Sequence, residues 1–217
     1  MVIDYLIVGL GNPGKRYENT RHNIGWMVAE NFIEKRKGEI NNSHIYKYSH
    51  IEYSRKNVIV AMPTTYMNLS GEAVLKLKHK YSVSNDRIIV IVDEYNFPTG
   101  KIHLRKGGSD GGHNGVTSVI EELGSADFYR LRCGIDRKFG AGELVDYVLK
   151  PFPDEENDLL KLMIEKSVLS LEMLIKDGIP RTMNNINNEN FWELKFNKKV
   201  EKNENNNSNL NNGVDNE

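Results

Sequence analysis

Residues 4–14 read Asp4-Tyr5-Leu6-Ile7-Val8-Gly9-Leu10-Gly11-Asn12-Pro13-Gly14, a short apolar run broken by glycine. Leu6-Ile7-Val8 has the length and composition of a buried strand, and the glycine-rich residues after it decide the fold. Gly9, Gly11 and Gly14 match the G-x-G-x-x-G turn of dinucleotide-binding proteins. That motif requires a helix to start within it, its N-terminus on a pyrophosphate, and an acidic residue about 20 positions on to hold a ribose. Here the next residues, KRYENTRHN, are polar and aperiodic, and no second strand ends in such an acid. The glycines are therefore read as a strand-to-loop turn, and no nicotinamide or flavin cofactor is expected.

Outward from this turn, strand-like and helix-like patterns alternate. Ile24, Met27, Val28, Phe32 and Ile33 recur at helical spacing. Residues 44–53 are β-prone and aromatic, and 57–62 form a strand stopped by Pro63. Leu69, Ala73, Val74, Leu77 and Tyr81 share a helical face. Ile88 to Val92 is the most strongly apolar strand, ending at Asp93; residues 101–105 alternate like an edge strand. A glycine-rich loop, KGGSDGGHNG, precedes a helix over about 115–123, and YRLRCGI is a further strand. Residues 154–176 form a long helix whose apolar face includes Leu159, Leu160 and Met163, stopped by Gly178 and Pro180. This interleaving predicts a single α/β domain, a mixed β-sheet flanked by helices on both faces.

That domain spans 1–196. Residues 197–217 hold nine Asn in 21 positions, with only Val200, Leu210 and Val214 apolar. Such a segment buries too little to offset its ordering entropy, so it reads as a disordered Asn-rich tail. The full chain has 217 residues, 29 basic and 30 acidic, which excludes a protein that coats nucleic acid by bulk charge. One cysteine, Cys133, excludes a disulfide framework and a cysteine-based zinc site. No apolar run approaches a membrane span, and the N-terminal residues lack the pattern of a signal peptide, so a cytoplasmic protein is expected.

The polar residues cluster where strands end. Asn12, Tyr17 and His22 follow the first strand, Tyr66, Met67 and Asn68 follow the strand ending near Met62, Asp93 ends the central strand, and His113 and Asn114 lie in the glycine loop. Parallel neighbouring strands would bring these groups to one crevice at their carboxyl ends. His22 is the candidate base and Asp93 the carboxylate that could orient it, while Asn12, Asn68 and Asn114 offer carboxamide N–H groups to a developing oxyanion. No G-x-S-x-G is present and Cys133 sits inside a strand. Water is then the nucleophile, and an ester or similarly reactive acyl group the substrate. A metal held by His22, Asp93 and His113 has no recognised ligand spacing, and none is expected.

VGLGNPGKRYENTRHNIGW, PTTYMNLSG, VDEYNFPTG and GSDGGHNG, in this order across about residues 3–190, closely resemble the four signature blocks of bacterial-type peptidyl-tRNA hydrolases. The resemblance implies a metal-free, monomeric hydrolase without cofactors, which cleaves the ester between a peptide and the terminal ribose of tRNA. It implies His22 as general base and Asp93 as its stabiliser. Asn12 would discriminate N-blocked from free aminoacyl-tRNA. Tyr17, Tyr66, Asn68 and Asn114 would line the site for the tRNA 3′ end and peptide, with Met67 and His113 as further pocket residues. Arg105 and Arg132 would clamp phosphates, whereas His103 and Thr117 stand where family members often carry a basic residue. A catalytically silent RNA-binding relative is the alternative, opposed by the intact His22, Asp93, Asn12, Asn68 and Asn114.

Overall fold

Leu6, Ile7 and Val8 are fully buried, and the strand they form is the centre of the sheet. The computed structural model describes residues 2–188 and 190–193; the Asn-rich stretch 197–217 lies outside them. Strand β1 (Tyr5–Gly9) is followed by helix α1 (Ile24–Lys35), β2 (Asn41–Asn42), β3 (Tyr46–Tyr53) and β4 (Lys56–Pro63). Then come α2 (Ser70–Tyr81), β5 (Ile88–Glu94), β6 (Ile102–Lys106), α3 (Asn114–Leu123) and β7 (Tyr129–Gly134). Three further helices follow: α4 (Leu144–Val148), α5 (Asn157–Asp177) and α6 (Ile179–Ile186).

The seven strands form one sheet in the order β2-β3-β4-β1-β5-β7-β6. β4, β1, β5 and β7 run parallel, while β3 pairs antiparallel with β4, β2 antiparallel with β3, and β6 antiparallel with β7. The sheet is therefore mixed, and β6 is an edge strand. Alternate residues of the central strands feed two cores, as the period of two requires. Ile7, Val60, Ile89, Ile91 and Leu131 pack with α1, α5 and α6, and Leu6, Val8, Ile59, Val90 and Val92 pack with α2 and α3. Helices cover both faces.

Glycine appears after β1 because backbone must approach backbone there. A Cβ on Gly9 would lie 2.1 Å from the Gly25 carbonyl oxygen, and one on Gly25 would lie 2.5 Å from Ile91 O and Leu10 N. Gly11 leaves room for the Trp26 indole, which a Cβ would meet at 2.5 Å. The motif thus lets the start of α1 sit directly on the ends of β1 and β5. Gly25→Ala is accordingly expected to cost at least about 3 kcal/mol, because the obstacle is backbone that cannot rotate away. Urea denaturation would measure it, with an exposed alanine substitution on α2 as reference.

The long helix stops at Asp177 before Gly178, as expected, but a further helix follows: after Gly178 (φ +87°), Pro180 stands in the first turn of α6, where its missing N–H has no helical partner to lose. Leu159, which shares the apolar spacing of the long helix, is exposed, and the buried residues of α5 begin only at Met163. The free edge of β6 is covered by Asn187, whose Oδ1 accepts from Leu104 N and whose Nδ2 donates to Leu104 O, both at 2.9 Å.

Candidate active site

The parallel order β4-β1-β5-β7 brings the strand ends together, and a cavity of about 720 Å³ opens over them. At its floor, Asp93, the penultimate residue of β5, is buried; His22, also buried, lies in the 3₁₀ turn Arg21–Asn23 that leads into α1. His22 Nδ1 is 2.8 Å from Asp93 Oδ1. His113, at the N-cap of α3, approaches the same oxygen with Nε2 at 3.0 Å, and the two imidazole centroids are 4.7 Å apart. The His113 Nδ1 accepts hydrogen bonds from the Gly115 and Val116 amides, at 3.1 and 3.3 Å.

These contacts decide which histidine can act as a base. Both nitrogens of His113 are committed, one as acceptor and one as donor, so its ring offers no basic nitrogen to the cavity. His22 uses Nδ1–H toward Asp93 and keeps Nε2 free to accept a proton. Burial by itself would push the His22 pKa down, but the Asp93 carboxylate outweighs it and the net shift is upward. For Asp93, burial would raise the pKa, yet the two imidazoles overcome this and hold the carboxyl far below the usual carboxylate range. The pair is therefore an ionised carboxylate beside an imidazole whose charged form it stabilises.

His22, Asp93 and His113 are also near enough for their ligand atoms to converge on a cation. Their geometry does not suit one. Both ring nitrogens aim at the same carboxylate oxygen, and a zinc ion about 2 Å along the His22 Nδ1 direction would fall within about 1 Å of it. The trio is built as one acceptor shared by two donors.

Asn12 is fixed from two sides. Its Oδ1 accepts from Met67 N at 2.8 Å, its N–H donates to Asn23 Oδ1 at 2.8 Å, and its carbonyl accepts from Asn23 Nδ2 at 3.0 Å. Since Oδ1 is the acceptor, Nδ2 is the group left for a ligand. Asn68 and Asn114 are exposed on the cavity wall with Tyr66, whose ring stands on the rim at 53% exposure, and Met67 is buried beneath them.

Charge gathers on the far side. Arg105 is exposed and lines the cavity, but Arg132 gives Nε and Nη2 to Glu94 Oε2, so its charge is already matched. Tyr17 does not join the others; its turn, Lys15–Tyr17, stands outside the cavity lining, with the Arg16 guanidinium over its ring. His103 stacks tilted against Phe97 and burial lowers its pKa, helped by Arg132, Lys101 and Arg105. Thr117 gives its hydroxyl to Asp110 Oδ2 and to the His113 carbonyl, which pins the glycine loop.

Several residues of the site have no signal in sequence spacing. Asn23 holds the Asn12 loop. Arg130 donates to the Ser109 and Gly108 carbonyls and so supports the glycine loop. Leu144, Val145, Val148 and Leu149 of the α4 segment form an apolar wall. Buried Arg21 staples that wall to the His22 turn: Nη1 donates to Pro151 O at 2.6 Å, Arg21 N donates to Lys150 O at 3.1 Å, and the guanidinium lies over the Tyr147 ring at 4.3 Å. Only the adjacency of Arg21 and Asn23 to His22 could have pointed to them.

Comparison with known proteins agrees with this architecture. The sequence profile of the peptidyl-tRNA hydrolase family matches residues 6–194. Peptidyl-tRNA hydrolase of Oceanobacillus iheyensis is 43% identical over 185 residues, covering 84% of this chain and 98% of the relative. That of Bacillus subtilis is 44% identical over 183 residues, covering 84% and 97%. The crystal structure of peptidyl-tRNA hydrolase from Acinetobacter baumannii superimposes with a TM-score of 0.81 at 31% identity, over 86% of this chain and 97% of that one. The family profile spans most of the chain and the relatives are covered almost end to end, so the chain belongs to the peptidyl-tRNA hydrolase family.

Proposed function

We propose that the crevice hydrolyses the ester between a peptide, or an N-blocked aminoacyl group, and the 3′-terminal ribose of tRNA, with His22 Nε2 as general base. The carrying observation is the shared Asp93 oxygen, which ties up His113 and leaves Nε2 of His22 as the free imidazole nitrogen of the pair. Water gives a proton to Nε2 as its oxygen attacks the ester carbonyl. Asp93 stabilises the imidazolium that forms without taking its proton. Negative charge on the carbonyl oxygen is met by Asn12 Nδ2, with Asn68 and Asn114 on the facing wall. Collapse breaks the bond to the ribose oxygen, which leaves with the proton held by His22. The exposed Tyr66 ring suits a stacked terminal base, Arg105 a phosphate, and the α4 wall the peptide.

No helix among the described residues is long and apolar enough to cross a membrane. In this proposal one chain is the working unit, in the cytoplasm, on the tRNA released when translation aborts. An assay on N-acetyl-aminoacyl-tRNA beside free aminoacyl-tRNA, with EDTA present, tests it. Release from the blocked substrate alone is the expected result. Abolition by EDTA would transfer the chemistry to a metal, and binding without cleavage would leave only RNA recognition.

Asn12→Asp separates donor from scaffold. The carboxylate still accepts from Met67 N but cannot donate to an oxyanion. A fall of about 10²–10³ in kcat/KM is expected with little change in melting temperature, measured in single-turnover reactions beside a thermal scan.

A further inference from the structure

We propose that His113 is a positioning residue that tunes His22 through Asp93: its Nε2–H shares the Oδ1 acceptor with His22, and the first amides of α3 fix its tautomer. The inference rests on the reading of His22 as the base. Gly115 N and Val116 N both donate to His113 Nδ1, so that nitrogen is bare and the ring proton sits on Nε2, 3.0 Å from Asp93 Oδ1. The oxygen that stabilises the His22 imidazolium is therefore already engaged by a second donor. Each donor draws charge from the same lone-pair region, and less is left for the other. His113 thus restrains how firmly Asp93 holds a proton on His22, and keeps the base available at lower pH than an unshared carboxylate would.

The surrounding groups leave this contact as the controlling one. Glu94, next on β5, is spent on Arg132 and on Asn96. Cys133, the register partner of Asp93 on β7, is a thiol that burial pushes up to about 12, so it is uncharged. Asp110 in the glycine loop is held by the Gly112 amide and the Thr117 hydroxyl. On the α4 side, Arg21 is bound to backbone carbonyls and Tyr147 gives its hydroxyl to Ile135 O.

Two carboxamides divide the functions of the ring. Asn reaches only as far as Nδ1, so His113→Asn keeps an acceptor for the α3 amides and loses the donor to Asp93. Gln reaches the Nε2 position, so His113→Gln can keep the donor and loses the cap. The pH profile of kcat/KM is measured for both, with His22→Ala as control and circular dichroism to confirm folding. In His113→Asn the acid limb is expected to move up by about one unit, leaving kcat/KM about tenfold lower below both limbs relative to the plateau. In His113→Gln the limb is expected near its native position. A limb unmoved in both variants, with only KM raised, would overturn the proposal and make His113 a substrate contact. Equal displacement in both would overturn it in favour of the helix cap. Near-normal turnover in His22→Ala would instead defeat the general-base reading. Independently, long-range ¹H–¹⁵N spectra of labelled histidines are expected to show His113 protonated on Nε2; a proton on Nδ1 would refute the arrangement.

Discussion

His22→Ala is expected to lower kcat for ester hydrolysis by about 10³–10⁴-fold while leaving the fold intact. The imidazole lies in a turn at the cavity floor, outside the aliphatic cores, so its removal leaves a space that water can enter. Neither neighbour in the trio can replace it. His113 has both nitrogens committed, and Asp93, held ionised far below the usual carboxylate range, is too weak a base to deprotonate water at neutral pH. KM should change little, because Nε2 meets the attacking water and not the tRNA. Millimolar imidazole should restore part of the rate by occupying the vacated space. Single-turnover hydrolysis with and without imidazole measures both effects, and turnover within tenfold of native would end the assignment.

The second large effect is expected at Asp93. Asp93→Asn keeps an oxygen that can accept from both imidazoles, so the geometry of the trio persists while the charge is lost. The reaction should slow by about 10²-fold, the low end of what general acid–base catalysis supplies and less than in His22→Ala, because the base remains and only the stabilisation of its imidazolium is weakened. The pH profile distinguishes this from a structural lesion. In the native protein burial lowers the His22 pKa and Asp93 raises it, with the carboxylate prevailing. Without the charge, burial is unopposed and His22 loses its proton at lower pH. Since the unprotonated ring is the active form, the acid limb of kcat/KM should move to lower pH as the plateau falls. A limb that stays in place, or rises, would mean that another group governs it.

Most of this architecture is legible along the chain because burial imposes a period. Leu6-Ile7-Val8 and Ile88 to Val92 read as central strands, since both of their faces are covered, and α1 shows its 3.6-residue stripe. Asp93, His22, Asn12 and Asn114 could be picked out because they follow strand ends or stand in the glycine loop. Long-range contact hides the rest. α4 spans five residues and its Val145 is 61% exposed, so no apolar stripe announces the wall it forms. Pro180 reads as a stop because proline at the start of one helix and after the end of another look alike in sequence. That Arg132 is answered by Glu94, and that His113 and His22 meet on one oxygen, emerges only once β5 lies beside β7 and the glycine loop folds over both.

The Arg21 staple has a consequence for how the crevice comes apart. The guanidinium that joins residues 150 and 151 to the His22 turn is buried, so peeling the α4 segment away would take from it at once its carbonyl partners and the Tyr147 and Phe152 rings. Partial opening of the wall is thereby penalised, and the wall and the turn form one cooperative unit. Subglobal fluctuations that admit bulk solvent to the apolar side also dismantle the seat of the base. On the proposed mechanism, a protein caught in such an excursion would be inactive and would not become an unselective esterase open to any ester in reach.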